Sequence, residues 1–154
     1  MAKKILFDTE ARQEVKKGID MAARAVKGTL GPRGRNVILD KGYGGPHMTN
    51  DGVTIAKEIS FKDKFHNIGA EIVKEVANKT NDLAGDGTTT SVVLFQALVE
   101  EGLKHTEMGL SAMGVRQGME HAAEEAVEAL QQIDIVTDTI AKAMYRMGFR
   151  ALEE

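Results

Sequence analysis

The stretch Gly85-Asp86-Gly87-Thr88-Thr89-Thr90 separates two segments of helical periodicity and leads directly into a long apolar run at residues 91–99. Glycines let backbone N–H groups approach an anion closely, and the N-terminus of a helix adds unpaired donors and the positive end of its dipole. Threonine hydroxyls can bind phosphate oxygens, and the Asp86 carboxylate can hold a hard cation such as Mg2+. The stretch therefore predicts a helix start that binds phosphate together with a metal ion.

Composition narrows the class of protein. The chain has 154 residues, of which 42% are hydrophobic and 28% are charged, a balance typical of one globular domain or of part of a larger one. No apolar run approaches the roughly 18 residues of a membrane span, and the N-terminal apolar run is too short for a secretory signal. A net charge of −3 gives no basic field for nucleic acid, and the lack of cysteine fits a reducing compartment. We expect a cytoplasmic protein that binds neither nucleic acid nor membranes.

Hydrophobic periodicity predicts a mainly α fold with a small β-hairpin. The expected elements are a strand at 4–7, a helix from a cap at Asp8 or Thr9 to about Leu30, a hairpin built on 36–40 and 48–55, helices at 67–81 and 88–104, a helix capped by Ser111, and a short last helix capped by Thr137 or Asp138. The first helix should bury Val15, Ile19, Ala22, Ala23, Val26 and Leu30, and the second Ile68, Ile72, Val73, Val76 and Thr80. The helix at 88–104 is apolar nearly all round, which predicts burial on several sides.

Two further glycine-bearing turns lie at predicted element ends. They are Thr29-Leu30-Gly31-Pro32-Arg33-Gly34-Arg35-Asn36 and Thr49-Asn50-Asp51-Gly52-Val53-Thr54. Taken singly, each is better explained by ordinary turn chemistry, since Gly-Pro and Asp-Gly are common turn dipeptides. Three converging turns could instead surround a nucleotide. The chain has neither the lysine-bearing P-loop pattern nor the dinucleotide-binding glycine pattern, so spacing alone predicts an anion site and no more.

Together, these three turns resemble in order and spacing the N-terminal equatorial segment of group I chaperonins, the GroEL/Hsp60 family. The resemblance extends over residues 2–133 and includes the segment at 63–77. It implies a mostly helical equatorial domain that binds ATP with Mg2+ and K+ and that makes contacts within and between rings of subunits. Implied partners are other chaperonin subunits, as homo-oligomer or by co-assembly, and in the family also unfolded protein substrates and a co-chaperonin.

The resemblance assigns roles by position. It implies that Asp86 is the Mg2+ ligand and that Asp51 is a catalytic carboxylate that positions the hydrolytic water. The remaining nucleotide-binding positions that it implies, beside Asp86, are Thr29, Leu30, Gly31, Pro32, Asn50, Gly87, Thr88, Thr89 and Thr90. Catalysis would then be electrostatic, because metal and backbone donors offset charge on the transferring phosphoryl group.

The C-terminal part departs from the family pattern. Residues 1–134 match the N-terminal part of the equatorial ATP-binding domain, whereas residues 135–154 resemble a later helix of the intermediate domain, as though a connecting stretch were deleted. The expectation is a truncated chain without an apical domain, without the intermediate-domain catalytic aspartate and without the groups that hold adenine and ribose. Whether such a chain hydrolyses ATP is left open by the residues.

Two functions follow. The first is a truncated chaperonin-family protein that keeps an ATP/Mg2+ phosphate site, linked in the family to ATP-dependent protein folding. The alternative is a non-enzymatic helical interaction module that self-associates or co-assembles with full-length chaperonin subunits, since large exposed apolar patches drive association. The histidines at positions 47, 66, 105 and 121 lack paired metal-ligand spacing, which predicts solvated or locally hydrogen-bonded side chains and no zinc site.

Overall fold

A computed structural model describes residues 5–40 and 45–146 of the chain, with side chains up to residue 133. The elements are α1 (Asp8–Lys27), β1 (Val37–Leu39), β2 (His47–Thr49), α2 (Gly52–Glu58), α3 (Lys64–Ala84), α4 (Thr88–Glu107) and α5 (Ala112–Arg146). The chain divides into two compact units, Met1–Leu103 and Lys104–Glu154. The predicted fold class, mainly α with a small β-hairpin, is confirmed.

The first unit is built on the packing of α1 against α3. Gly18 and Gly69 lie where the helices cross: a Cβ on Gly18 would collide with the His66 carbonyl, and a Cβ on Gly69 would lie 2.6 Å from the Ile19 nitrogen. Two bare glycines therefore allow backbone-to-backbone contact. The buried apolar side chains of the unit are Ile19, Ala22, Ala23, Val26, Val53, Ile55, Ala56, Ala70, Val73, Ala77 and Val92.

The buried face of α3 differs from the predicted one. Val73 is buried as expected, but Ile68 is exposed, and Gly69, Ala70 and Ala77 are buried instead. Small residues occupy the contact because α1 approaches too closely for isoleucine. On α1 the predicted stripe is confirmed from Ile19 to Val26; Leu30 lies beyond the helix and is exposed.

Both ends of α1 differ from the prediction. The N-cap is Phe7, and no side-chain cap bond is made, so neither Asp8 nor Thr9 caps the helix. Residues 5–7 form no strand, while Lys4 lies outside the described residues. α1 ends at Lys27, and Thr29 N–H bonds to the Val26 carbonyl at 3.1 Å in the turn that follows.

The predicted hairpin is confirmed. β1 and β2 pair antiparallel with Val37 opposite Thr49 and Leu39 opposite His47. β2 leads after two residues into α2, a short helix that the sequence analysis treated only as the entry to another segment. α2 packs against both α1 and α3 and buries Val53, Ile55 and Ala56. This packing brings the end of the hairpin to the core.

α4 begins at Thr88 as predicted, but its expected burial on several sides is wrong for the described chain. Only Thr88 and Val92 of α4 are buried, whereas Leu94 is 59% exposed and Leu98 is 51% exposed. One face of α4 packs on the unit, with Phe95 and Val99 against the core. The opposite face keeps its apolar side chains at the surface.

The second unit contains one long helix where two were predicted. α5 begins at Ala112, directly after the expected cap Ser111, whose carbonyl accepts the Val115 N–H at 3.0 Å. It continues to Arg146, so Thr137 and Asp138 lie within a helix and cap none. Nothing in residues 130–140 forces a break, because the stretch contains neither glycine nor proline. Met147, expected on the last helix, lies outside the described residues.

Candidate functional site

One cavity of the first unit, of ≈ 380 Å³, lies where the three glycine-bearing turns meet. The turns come from the end of α1, the start of α2 and the connection between α3 and α4. The residues that line it are Thr29, Leu30, Gly31, Asn50, Asp51, Gly52, Asp86, Gly87, Thr88, Thr89 and Thr90. Segments up to some sixty residues apart in sequence thus contribute to a single concave surface.

The first turn is held by its own backbone. Arg35 N–H bonds to the Gly28 carbonyl at 2.9 Å, and Gly34 N–H bonds to the Gly31 carbonyl at 2.8 Å. Gly31 has a φ of 76°, a conformation that L side chains rarely adopt. The closed turn fixes the position at which Leu30 and Gly31 line the cavity.

Thr29 joins the first turn to the third. Its hydroxyl donates to the Val26 carbonyl at 2.9 Å and lies 3.3 Å from the Thr89 hydroxyl. The pair connects the C-terminal end of α1 with the N-terminal end of α4. The two hydroxyls therefore stand side by side on the cavity wall.

Asp51 caps α2. Its Oδ2 accepts the Thr54 N–H at 3.0 Å and the Thr54 hydroxyl, and its own N–H donates to the Thr49 hydroxyl at 3.1 Å. Partial burial alone would raise the pKa of this carboxyl, but the hydrogen bonds from Thr54 and Val53, with the charge of Lys57, outweigh burial and lower the pKa. Asp51 is therefore an ionised carboxylate of fixed orientation at neutral pH.

Gly52 is a residue whose importance the sequence analysis missed. A Cβ at this position would lie 2.6 Å from the Thr89 hydroxyl and 2.9 Å from the Thr88 hydroxyl. Only glycine lets the start of α2 approach the start of α4 so closely. The Asp-Gly dipeptide signalled a turn, but nothing in the sequence signalled the neighbour 36 or 37 positions away.

The third turn connects α3 to α4 through two glycines in the left-handed region. Gly85 ends α3 with a φ of 72°, and its N–H bonds to the Asn81 carbonyl at 2.9 Å; Gly87 follows with a φ of 75°. Asp86, between them, accepts the Gly87 N–H on Oδ1 at 2.6 Å. The hydrogen bond from Ser91 N–H to the Gly87 carbonyl, at 2.9 Å, is the first i to i−4 bond of α4.

The cavity combines groups for an anion with groups for a cation. The first turn of α4 supplies the N–H groups that precede regular helical bonding, as at the start of any α-helix, and three threonine hydroxyls. Asp51 and Asp86 supply carboxylates, which would repel a bare phosphate. Hydrogen-bond donors for an anion beside two carboxylates suit a phosphate that arrives with a divalent metal ion. The metal can bind phosphate and carboxylate oxygens together, which offsets the repulsion between them. Both carboxylates, Asp51 and Asp86, belong to the lining of the same cavity.

The structure brings together every predicted site residue except one. Pro32 is exposed and lies outside the cavity lining as the described residues define it. The neighbouring Arg33 and Arg35 are likewise exposed and do not line it. The predicted pattern of three converging turns is therefore present, with Gly52 added and Pro32 set apart.

Among the described residues, no helix is both long enough and apolar enough to cross a lipid bilayer.

The sequence matches the model of the TCP-1/cpn60 chaperonin family over residues 22–147. The match takes in all three turns of the cavity and most of the helical segments around them. The chain belongs to the TCP-1/cpn60 chaperonin family.

Proposed function

We propose that the cavity is a nucleotide phosphate site that binds ATP with Mg2+, in a protein linked to ATP-dependent protein folding. The observation that carries the proposal is the convergence of three separate glycine-bearing turns on one cavity with two carboxylates and a helix N-terminus. A single such turn is common, but three around one volume are not needed to close a helical fold. The family membership is consistent with this function.

Within this proposal, Asp86 is the Mg2+ ligand, and Gly87 with Thr88, Thr89 and Thr90 cradles the phosphates. Thr29, Leu30, Gly31 and Asn50 face the nucleotide from the other side, with Thr29 also a candidate for K+. Asp51 orients the attacking water, because its carboxylate is ionised and held by Thr54. Pro32 contributes by shaping the first turn. Metal and backbone donors would offset charge on the transferring phosphoryl group.

We further place the chain with group I chaperonins of the GroEL/Hsp60 type, on the strength of the three turn sequences. Chaperonins act as oligomeric assemblies on substrate proteins, so we expect chaperonin subunits as partners. A cytoplasmic location is proposed from the absence of cysteine.

Calorimetry tests the binding proposal. Titration of ATP and ADP should give heat that depends on Mg2+, and Asp86→Asn should weaken Mg2+-dependent binding about tenfold or more, the loss of roughly 1.4 kcal/mol. The matched control is Asp82→Asn, which changes the same group in the last turn of α3 outside the cavity lining. Equal affinities for the two variants, or no Mg2+-dependent heat in the wild type, would contradict the proposal.

A second titration separates binding from hydrolysis. Asp51→Asn keeps a side chain that can cap α2, so we expect ATP to bind within about threefold of wild type. Any phosphate release by the wild type should disappear in this variant. An Asp51→Asn variant that releases phosphate at the wild-type rate would contradict the role given to this carboxylate.

The second candidate function is a non-enzymatic interaction module. Exposed apolar side chains favour it in both units: Leu94 and Leu98 one turn apart on α4, and Val127, Leu130 and Ile133 on α5. Apolar residues at such spacing form a continuous surface stripe that association can bury. We propose that these stripes contact a second copy of the chain or a full-length chaperonin subunit.

Light scattering at rising concentration and co-purification with full-length chaperonin subunits test this function. Leu94→Gln with Leu98→Gln should reduce association, whereas Leu83→Gln should not, because Leu83 is a single exposed side chain at the end of α3. A wild-type chain that stays monomeric and does not co-purify would argue against the module.

A further inference from the structure

Three metal-ligand side chains meet at the partly exposed edge of the contact between α1 and α3, apart from the residues of the proposed nucleotide cavity. The ligand atoms of Glu14, Asp63 and His66 all lie within 4.8 Å of one another. Within this cluster, His66 Nε2 and Glu14 Oε2 lie 2.9 Å apart. Glu14 lies on α1, whereas Asp63 and His66 lie at the start of α3, so the tertiary fold creates the cluster and sequence spacing does not show it.

The backbone around this cluster is fixed. Gly18, one turn after Glu14, contacts the His66 backbone directly, and Gly69 contacts α1 in return. Because two backbones touch here, neither helix can shift without opening the core. Because the backbone holds the ligands in position before a metal ion arrives, binding costs little conformational entropy.

The side chains are oriented as well. Asp63 Oδ1 accepts the N–H groups of Phe65 at 2.8 Å and His66 at 3.1 Å, which holds the carboxylate at the helix start. The His66 ring meets the Phe61 ring edge to face with centroids 6.5 Å apart. About a quarter of the His66 and Glu14 side-chain surface is exposed, so a cation can reach the cluster from solvent.

The ligand types select a class of metal. An imidazole nitrogen with two carboxylates suits a borderline divalent ion such as Zn2+, Co2+ or Ni2+, whereas Mg2+ and Ca2+ prefer oxygen ligands alone. We infer that Glu14, Asp63 and His66 form a binding site for a transition-metal dication that joins α1 to α3. Water would complete the coordination, since three protein ligands leave a position open.

Lys17 limits the affinity of this site. Its ammonium group bonds to Glu14 Oε1 at 2.5 Å. This ion pair holds the Glu14 carboxylate in place beside the other two ligands. The lysine charge nevertheless offsets one of the two carboxylates. Lys17→Gln should therefore bind the metal more tightly than wild type.

Cobalt titration of the whole chain tests the inference. Excess Mg2+ is added to occupy sites made only of oxygen ligands. Under this condition one equivalent of Co2+ should bind to the chain and give a visible absorption band. His66→Gln should weaken Co2+ binding tenfold or more. The matched control is His121→Gln, because His121 faces a single carboxylate, Glu125, at 3.4 Å. This control should bind Co2+ like wild type.

Two outcomes would overturn the inference: no saturable Co2+ binding by the wild type, or equal Co2+ affinity of His66→Gln and His121→Gln. Circular dichroism checks that the variants are folded, and Glu14→Gln gives an independent second test with the same expected loss. Since these titrations contain no nucleotide, failure here leaves the proposed ATP site untouched.

Discussion

Glycine has different structural roles in two regions of the first unit, the turns around the cavity and the crossing of α1 with α3. In the turns around the cavity, Gly31, Gly85 and Gly87 have φ values of 72–76°, and a Cβ on any of them would meet nothing within 4 Å. At the crossing of α1 with α3, Gly18 and Gly69 are helical, and a Cβ on either would collide with backbone. These three turn glycines are needed for the direction of the chain, whereas Gly18 and Gly69 are needed for space. Any substitution therefore tests a different physical property in each region.

The largest effect is expected at the crossing. Gly69→Ala places a methyl group 2.6 Å from the Ile19 nitrogen and 2.8 Å from the Gly18 carbonyl carbon. Backbone cannot move aside cheaply, so we expect a loss of roughly 2–3 kcal/mol in the free energy of unfolding, despite the better helix propensity of alanine. Urea denaturation followed by circular dichroism measures it.

Gly118→Ala is the matched control for this crossing. It makes the same chemical change within α5, where a Cβ meets nothing within 4 Å. We expect a gain of about 0.5–1 kcal/mol from helix propensity alone. If both alanine variants were stabilised, the contact between α1 and α3 would be looser than described.

An intermediate effect is expected at the cavity. Gly87→Ala meets no neighbour but must adopt a φ of 75°, which costs roughly 1–2 kcal/mol for a residue with a Cβ. Gly87→Asn should cost less, because asparagine tolerates the left-handed region better. Unfolding free energies of the two variants measure the difference. Equal losses would indicate that space, and not backbone direction, limits this turn.

The smallest effect depends on pH. Asp51→Ala removes the cap of α2 and should cost about 1 kcal/mol at pH 7. Because the pKa of Asp51 is lowered in the folded state, its stabilisation is present above the ordinary carboxyl pKa and is lost as pH falls through the folded value. The difference between wild type and Asp51→Ala should therefore shrink below about pH 4. The cost of Gly69→Ala should not shrink, since no proton is involved there.

The two kinds of glycine also explain what the sequence could predict. Turn glycines have local signals: Gly31 precedes proline, and Gly85 and Gly87 flank an aspartate before an apolar run. Those signals were enough to predict the three turns and the helix start at Thr88, whereas the individual residues of the cavity lining were expected from the family resemblance. The possibility that the turns converge came from their position at the ends of predicted elements.

Crossing glycines have no such signal. Gly18 and Gly69 lie inside regular helical periodicity, where glycine is only a weak helix former. Their partners are more than forty residues away, so the buried face of α3 was predicted one position off, on Ile68 instead of Gly69. The outer face of α4 was predicted to be buried for a related reason, because periodicity records apolar residues but not the presence of a neighbour.

The contact between the Thr29 and Thr89 hydroxyls has a consequence for the order of folding. These residues are 60 positions apart in the sequence, so their contact closes a long loop of the chain. Contacts between residues so distant in the chain form after the local helices, because closing a long loop costs more conformational entropy. We therefore expect the cavity to be among the last features of the first unit to form. Binding of a fluorescent nucleotide during refolding would therefore be measured only for completely folded chains and not for partly folded ones.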